Sequence, residues 1–396
     1  REGEQLLAVK PWTGVLKAFA SSGFDGIEAN AKTTAPGVAE VALKLETVHG
    51  CNAGASAHYA ASGEVVYAGA AVGCIMDASG GAQRHLLGHT AEAQIACVAV
   101  DGERLRVATG EARSKSLVFV WNLSDGAQLA EINVKGRHDK GISALGFSHD
   151  GSRLVSVGAD DDNKIYIWDW AAGKEAKPLA SEKGGRYRIV SVVANPFDSS
   201  NGPEGTFVTA GHQHIKFWQM QKGKLAKFGG STDSCASVAF IQSSSAEPSS
   251  LRGEGVGHAV TALRDGTIAV WSPDGKKKIA TILKGPGTHA SAPTLFSTRA
   301  SDTLQFLISG DLDGALHIWD PHLFGQKSGA PLLTLSVQAL LAAAAGPLTP
   351  PSKVAIRSVS ARVDEGEVEV LVLADHGAVI QLSFPASKVS PPPEGG

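Results

Sequence analysis

Cysteine is scarce in this 396-residue chain: Cys51, Cys74, Cys97 and Cys235 are all there are, and no two share a C-x-x-C spacing. That leaves neither a zinc-ligand pattern nor a disulfide framework, and the thiols fit a reducing compartment such as the cytoplasm. Charge of one sign is also lacking, with 36 Lys and Arg against 39 Asp and Glu. A chain so nearly balanced has no field with which to hold a polyanion non-specifically, so nucleic acid is not an expected partner. The longest apolar stretch, at 337–345, is well short of the roughly 20 residues that a helix needs to cross a bilayer, so no membrane partner is expected either. No P-loop, G-x-S-x-G or G-x-G-x-x-G pattern occurs, and neither a cofactor nor an enzymatic role is expected. The first residue is Arg, as expected of a segment of a longer chain or assembly.

What the chain does have is turn chemistry and repetition. Its 46 glycines and 18 prolines, with 43% hydrophobic residues, suit many short strands joined by tight turns. Five segments end an alternating apolar run on Trp: 118–121, 165–168, 215–218, 268–271 and 316–319. Degenerate copies at 74–76 and 379–382 bracket them, so markers fall at 76, 121, 168, 218, 271, 319 and 382. The intervals of 45 to 63 residues, each containing several turns, are those of four-stranded blades, and predict an all-β, seven-bladed propeller.

Further residues recur at fixed distances from the Trp. Asp162, Asp265 and Asp313 each stand six residues before Trp168, Trp271 and Trp319, and two of the three precede a Gly, as a tight hairpin requires. His89, His138 and His289 stand 32, 30 and 30 residues before Trp121, Trp168 and Trp319. The spacing resembles the WD40 repeat, in which His, Ser or Thr, Asp and Trp form one hydrogen-bonded chain. That resemblance assigns His138, Ser156, Asp162 and Trp168 to blade three. A buried Trp brings one N–H that needs an acceptor, and a Ser or Thr hydroxyl supplies it. These residues are therefore read as structural.

Outer strands are expected after the first six markers, at 83–87, 127–134, 174–180, 223–228, 277–283 and 331–336. The seventh marker instead runs into Pro385 and the prolines at 391–393, which cannot donate ladder hydrogen bonds. The alternating run 41–48 is the expected substitute, sealing the ring on blade seven. The domain plan is then a lead segment at 1–48, a propeller at 49–384 and a Pro-rich tail at 385–396. Low-complexity stretches at 243–250 and about 339–352 read as surface excursions.

A closer likeness builds on these residues. Val9-Lys10-Pro11-Trp12-Thr13-Gly14 and, some thirty residues on, Leu43-Lys44-Leu45-Glu46 resemble the HELP segment of the echinoderm microtubule-associated-protein-like (EMAP-like) family. The stretches 63–67, 83–89, 108–110 and 157–161, with Trp168-Asp169-Trp170, are similar to that family's first propeller. The likeness covers roughly residues 7–384. Where the family has an aromatic-rich core, this chain reads Glu46-Thr47-Val48-His49-Gly50-Cys51 and lacks three aromatics. The resemblance implies a non-enzymatic scaffold of the cytoskeleton or a ciliary axoneme, with tubulin, the microtubule or microtubule-bound proteins as partners. The rival expectation is a general WD40 adaptor, such as a substrate receptor of a ubiquitin ligase.

Other constellations are weaker. His212 and His214 offer two imidazoles on one face of a strand, but no third metal ligand stands near. Asp160-Asp161-Asp162-Asn163 lacks the Gly and distal Glu of a calcium loop and reads as a hairpin turn. Two basic groups are candidate partner surfaces: Lys222, Lys224, Lys276, Lys277 and Lys278 near c–d turns on one face, and Arg137, Lys140, Arg186 and Arg188 in d–a connections on the other. Local positive charge of this kind would meet an acidic protein surface.

Overall fold

Alternating segments that end on a Trp bury one edge of a strand pair and leave backbone groups to satisfy on both sides, which a four-stranded sheet does. In the computed structural model the described residues are 45, 47–48, 50–52, 56–77, 81–198, 205–221, 223–242, 257–282, 289, 291, 293–299, 305–320, 331–344, 354–375 and 377–386. The chain divides into a unit of residues 1–46 and a unit of residues 47–396, and the propeller lies in the second.

Blade one comprises β1 (His58–Tyr59), β2 (Val65–Gly69), β3 (Val72–Met76) and β4 (Gln83–Leu86). Blade two comprises β5 (Ile95–Val100), β6 (Arg106–Glu111), β7 (Leu117–Asn122) and β8 (Gln128–Asn133). Blade three comprises β9 (Ile142–Phe147), β10 (Leu154–Gly158), β11 (Lys164–Trp168) and β12 (Pro178–Lys183). Blade four comprises β13 (Ile189–Ala194), β14 (Thr206–Gly211), β15 (His214–Gln221) and β16 (Lys224–Ser231). Blade five comprises β17 (Cys235–Gln242), β18 (Gly257–Leu263), β19 (Ile268–Trp271) and β20 (Lys278–Ile282). Blade six comprises β21 (Thr294–Arg299), β22 (Gln305–Gly310), β23 (Ala315–Trp319) and β24 (Leu333–Ser336). Blade seven has three described strands, β25 (Ile356–Asp364), β26 (Glu367–Ala374) and β27 (Val379–Pro385). Every pairing is antiparallel and between neighbours in sequence, so each blade is a meander read a to d from the axis outward. This is the seven-bladed propeller that the repeat spacing predicts.

The core is distributed into seven apolar clusters, one at each seam between successive blades. In four blades the c–d ladder shifts register immediately before the Trp, at Val120/Trp121, Ile167/Trp168, Phe217/Trp218 and Val270/Trp271. Such a bulge adds local twist and re-aims a side chain. Each Trp lies in the core shared with the preceding blade: Trp121 with Val66 and Ile75, Trp168 with Val118 and Ile132, Trp218 with Val155 and Ile165, Trp271 with Val208 and Phe217, and Trp319 with Val260 and Ile268. The five rings are at most 3% exposed.

Among the described residues the seam between blades seven and one has no Trp. Leu371 and Leu373 meet Tyr59, Tyr67 and Cys74 there, with Val48 and Cys51 packed alongside. Val48 is held by a side chain in place of a strand: its N–H donates to Gln83 Oε1 at 2.8 Å, and its carbonyl accepts the Tyr67 hydroxyl at 3.0 Å. Asn52 fastens the same segment to blades one and two. Its Nδ2 donates to the carbonyls of Ala70 and Ile95 at 2.9 and 3.0 Å, and its Oδ1 accepts the Ala70 N–H at 2.8 Å.

The expected closing strand at 41–48 lies mostly outside the described residues. Of it, Leu45, Thr47 and Val48 are described, and none is in a strand. The HELP-like residues 9–14, the loop 243–250 and the Pro-rich tail from residue 387 also lie outside them. The apolar stretch expected as a surface excursion contains a short helix, α1 (Val337–Ala344). The Ser336 hydroxyl caps it by accepting the Ala339 N–H at 3.2 Å, and Val337 is fully buried in the core between blades six and seven.

Candidate functional site: polar chains and propeller faces

Blade six has the complete chain of hydrogen bonds. Trp319 Nε1 lies 2.6 Å from Ser309 Oγ, Ser309 Oγ 2.6 Å from His289 Nε2, and His289 Nδ1 3.0 Å from Asp311 Oδ2. One direction of donation satisfies every group: the Trp N–H donates to the hydroxyl, the hydroxyl to Nε2, and Nδ1–H to the carboxylate. Burial alone would raise the Asp311 carboxyl, but His289 and the Ala315 and Asp313 amides hold it below the usual carboxylate range.

Blade two repeats the arrangement with Glu in the acid's place. Trp121 Nε1 donates to Thr109 Oγ1 at 3.0 Å, Thr109 stands 2.7 Å from His89 Nε2, and His89 Nδ1 is 2.9 Å from Glu111 Oε1. Burial opposes ionisation of Glu111, yet His89, the Leu117 amide and Arg113 keep its carboxyl below the ordinary range.

In blade three Trp168 Nε1 donates to Ser156 Oγ at 2.8 Å and His138 Nε2 lies 2.7 Å from that hydroxyl. The acid facing His138 is Asp160, not Asp162, and at 3.7 Å it is beyond hydrogen-bond reach. Asp162 lies in the hairpin and pairs with Lys183 at 3.0 Å. The same correction applies to blades five and six. Asp265 is exposed and accepts the Thr267 N–H at 2.9 Å within its own turn. Asp313 is exposed at a hairpin tip, and the chain's acid is Asp311.

The physical reason is the tightness of the tip. Gly266 and Gly314 have φ of +93° and +82°, and a Cβ at either would stand 2.6 Å from the His289 or the Val354 carbonyl oxygen. The residue before the Gly is committed to the turn and points outward. An acid two residues after the Ser or Thr of strand b shares its face, as Glu111 does with Thr109 and Asp311 with Ser309. That Ser/Thr-x-Asp/Glu spacing is the signal by which the sequence could have given both.

Blade four draws its imidazole from elsewhere. Trp218 Nε1 donates to Thr209 Oγ1 at 2.7 Å, and the hydroxyl meets Nε2 of His214, the first residue of β15, at 2.8 Å. Desolvation, with Lys216 and Lys227 nearby, lowers His214 to about 4. His212 is not on the same strand face, because Gln213 between them has φ +46° and turns the chain. Its ring packs edge-on against Tyr187 at 5.5 Å. In blade five the Trp271 N–H goes to Thr261 Oγ1 at 2.8 Å, and that hydroxyl donates to the Ala269 carbonyl at 3.4 Å.

The basic candidates are not equally free. Lys278 Nζ pairs with Asp233 at 2.7 Å and lies 5.5 Å over the Trp271 ring, because the turn before it packs on blade four, where Gly230 N–H donates to Gly275 O at 3.1 Å. Lys276 stands 3.8 Å from Asp274, while Lys277 and Lys224 are exposed. Lys222 lies outside the described residues. On the opposite face, Lys140 pairs with Asp161 at 2.6 Å and the Arg137 guanidinium lies 5.5 Å over the Trp168 ring. Arg186 donates to the Tyr187 hydroxyl at 2.6 Å, and Arg188 is exposed.

Comparison with known proteins follows the same geometry. The family model described as "Echinoderm microtubule-associated protein first beta-propeller" matches residues 82–339. The chain is 26% identical over 316 residues to the 77 kDa echinoderm microtubule-associated protein of Strongylocentrotus purpuratus, covering 76% of this chain and 42% of that protein. It is 28% identical over 262 residues to echinoderm microtubule-associated protein-like 2 of Homo sapiens, covering 62% of this chain and 37% of the relative. To the Mus musculus protein of the same name it is 32% identical over 200 residues, covering 47% of this chain and 29% of the relative. The chain thus spans less than half the length of these relatives. With a matched model across most of its length and the propeller that model describes, the chain belongs to the echinoderm microtubule-associated protein-like family.

Proposed function

We propose that the chain is a non-enzymatic, microtubule-associated scaffold of the cytoskeleton, with the ciliary axoneme as one setting, holding tubulin or microtubule-bound proteins on its propeller faces. The observation that carries this reading is where the reactive residue types are spent. His89, His138, His214 and His289 are each committed to a Ser or Thr hydroxyl that also serves a Trp, so these imidazoles hold strands together. Exposed cations, among them Lys224, Lys276 and Lys277 on one face and Arg186 and Arg188 on the other, are available to a partner.

Co-sedimentation with polymerised microtubules across a salt series tests it. The native chain should pellet and be released as salt rises, since exposed charge pairs are screened. Changing Lys276 and Lys277 to Glu, or Arg186 and Arg188 to Glu, identifies the face by which variant loses binding. Lys278 is left intact because its ion pair with Asp233 belongs to the fold. A folded chain that never pellets would contradict the proposal.

A further inference from the structure

The inner strands of the blades wall a cavity of about 930 Å³ along the propeller axis. Its charge differs in sign from that of the chain, whose formal net charge is −3. Among the described residues lining it, the charged ones are Arg104, Arg264, Arg357 and Asp101. Asp101 is already engaged: Oδ1 accepts the Leu105 and Arg106 amides at 2.9 and 3.0 Å, and Oδ2 faces Arg106 Nε at 3.4 Å. Among the described residues none of the three arginines has a carboxylate within ion-pair distance.

One of them sits in a built recess where blades seven, one and two meet. Arg104 has φ +59° and closes the turn that follows β5, which fixes where its side chain departs. Its Nη2 donates to the Ala361 carbonyl on β25 at 2.8 Å, which leaves other donors of the guanidinium unused. Ser56 and His58 line the cavity beside it, with Ser56 Oγ 2.5 Å from His58 Nε2. Tyr59 also lines the cavity and is 1% exposed, yet its buried hydroxyl has no hydrogen-bond partner among the described residues. The Tyr59 ring lies 5.3 Å from the Arg362 guanidinium, and Arg362 is in turn occupied by Glu369 and Asp364. The carboxylates at this corner are therefore neutralised and Arg104 is not.

We propose that this recess binds a small multivalent oxyanion of the phosphate type, with the Arg104 guanidinium and the Tyr59 hydroxyl as donors and the axial cavity as the way in. The anion would give the orphaned hydroxyl an acceptor and Arg104 a counter-charge. Charge-assisted hydrogen bonds from Arg are well suited to phosphate geometry. Burial, and Arg362 close by, weaken the hold of Arg104 on its proton, a cost that a bound anion offsets. The site is independent of whatever the outer faces bind.

The test is inorganic pyrophosphate titrated into the full chain against sodium chloride at matched ionic strength, read by thermal unfolding and by phosphorus NMR line width. Saturable stabilisation and broadening are expected. Arg104→Met should weaken the affinity about tenfold or more, the loss of one charge-assisted bond. Tyr59→Phe should weaken it by about threefold to tenfold while leaving the melting temperature in chloride unchanged or higher, since the hydroxyl it removes has no partner. That second variant keeps the test decisive if Arg104→Met fails to fold. Arg264→Ala combined with Arg357→Ala should leave the affinity as it was. The proposal is overturned if pyrophosphate acts no differently from chloride, if Tyr59→Phe binds undiminished, if the Arg264 and Arg357 pair proves to be the determinant, or if hexaglutamate binds where pyrophosphate does not.

Discussion

Five seams of the propeller and the seam that closes it solve the same packing problem differently. Between blades one and six every seam buries a Trp whose N–H meets a Ser or Thr hydroxyl. Among the described residues the seam between blades seven and one buries no Trp; the segment of Val48 and Cys51 packs against it, fastened to blade one by Gln83, Tyr67 and Asn52 and to blade two by the Asn52–Ile95 bond. Each repeated seam sets one large ring in its apolar cluster, whereas the closing seam has smaller apolar side chains and a flanking segment held by polar side chains. Loss of contact area should therefore injure the first kind most, and loss of a hydrogen-bond partner the second.

Acid should produce the largest effect, because it acts on both regions at once. Desolvation lowers His58, beside the closing seam, and His214 and His317, in blades four and six, from an ordinary 6.5 to about 4. The unfolded chain takes up these protons near 6.5 and the folded chain only near 4, so protonation favours unfolding. Their contribution is complete above about pH 6.5 and drains away as pH falls toward 4. Urea midpoints measured from neutral pH downward should decline through that window, and a flat profile would contradict the burial of these rings.

Trp319→Ala comes next, with an expected loss of about 3–5 kcal/mol in denaturant unfolding. Asn52→Ala should cost about 2–3 kcal/mol, since the Ala70 N–H and the Ala70 and Ile95 carbonyls are left buried without their partner. A cost for Asn52→Ala well below 1 kcal/mol would mean that the segment beside the closing seam does not depend on its polar clasp. Smaller still is the contrast between the two acids of blade six. Asp311→Asn should cost about 1.5–3 kcal/mol by weakening the bond to His289, whereas Asp313→Asn, at an exposed tip, should stay within about 0.5 kcal/mol. Equal costs would return the tip residue to the polar chain.

The sequence made the repeated seams legible because a Trp at a near-constant interval is visible without knowing any contact. The intervals identified the blades, and His89, His138 and His289 were recognisable by their distance from the Trp. The acids were misplaced because Asp-Gly advertises a turn more loudly than Ser-x-Asp advertises a shared strand face. His214 was hidden for a different reason: it reaches Thr209 from strand c, so its distance from Trp218 fits no other blade. Asn52, Gln83 and Arg104 could not be read at all. Each occurs once, and its partners lie on neighbouring strands or blades that only the closed ring brings near.

Hydrogen exchange of the native chain and of Asn52→Ala tests the difference between the seams most directly. The account predicts that protection is lost in the strands of blades one and two, which Asn52 bonds, and of blade seven, against which its segment packs, while those of blades three to five keep theirs, as expected of local opening. Protection lost evenly around the ring, or lost first in the Trp-bearing seams, would contradict it.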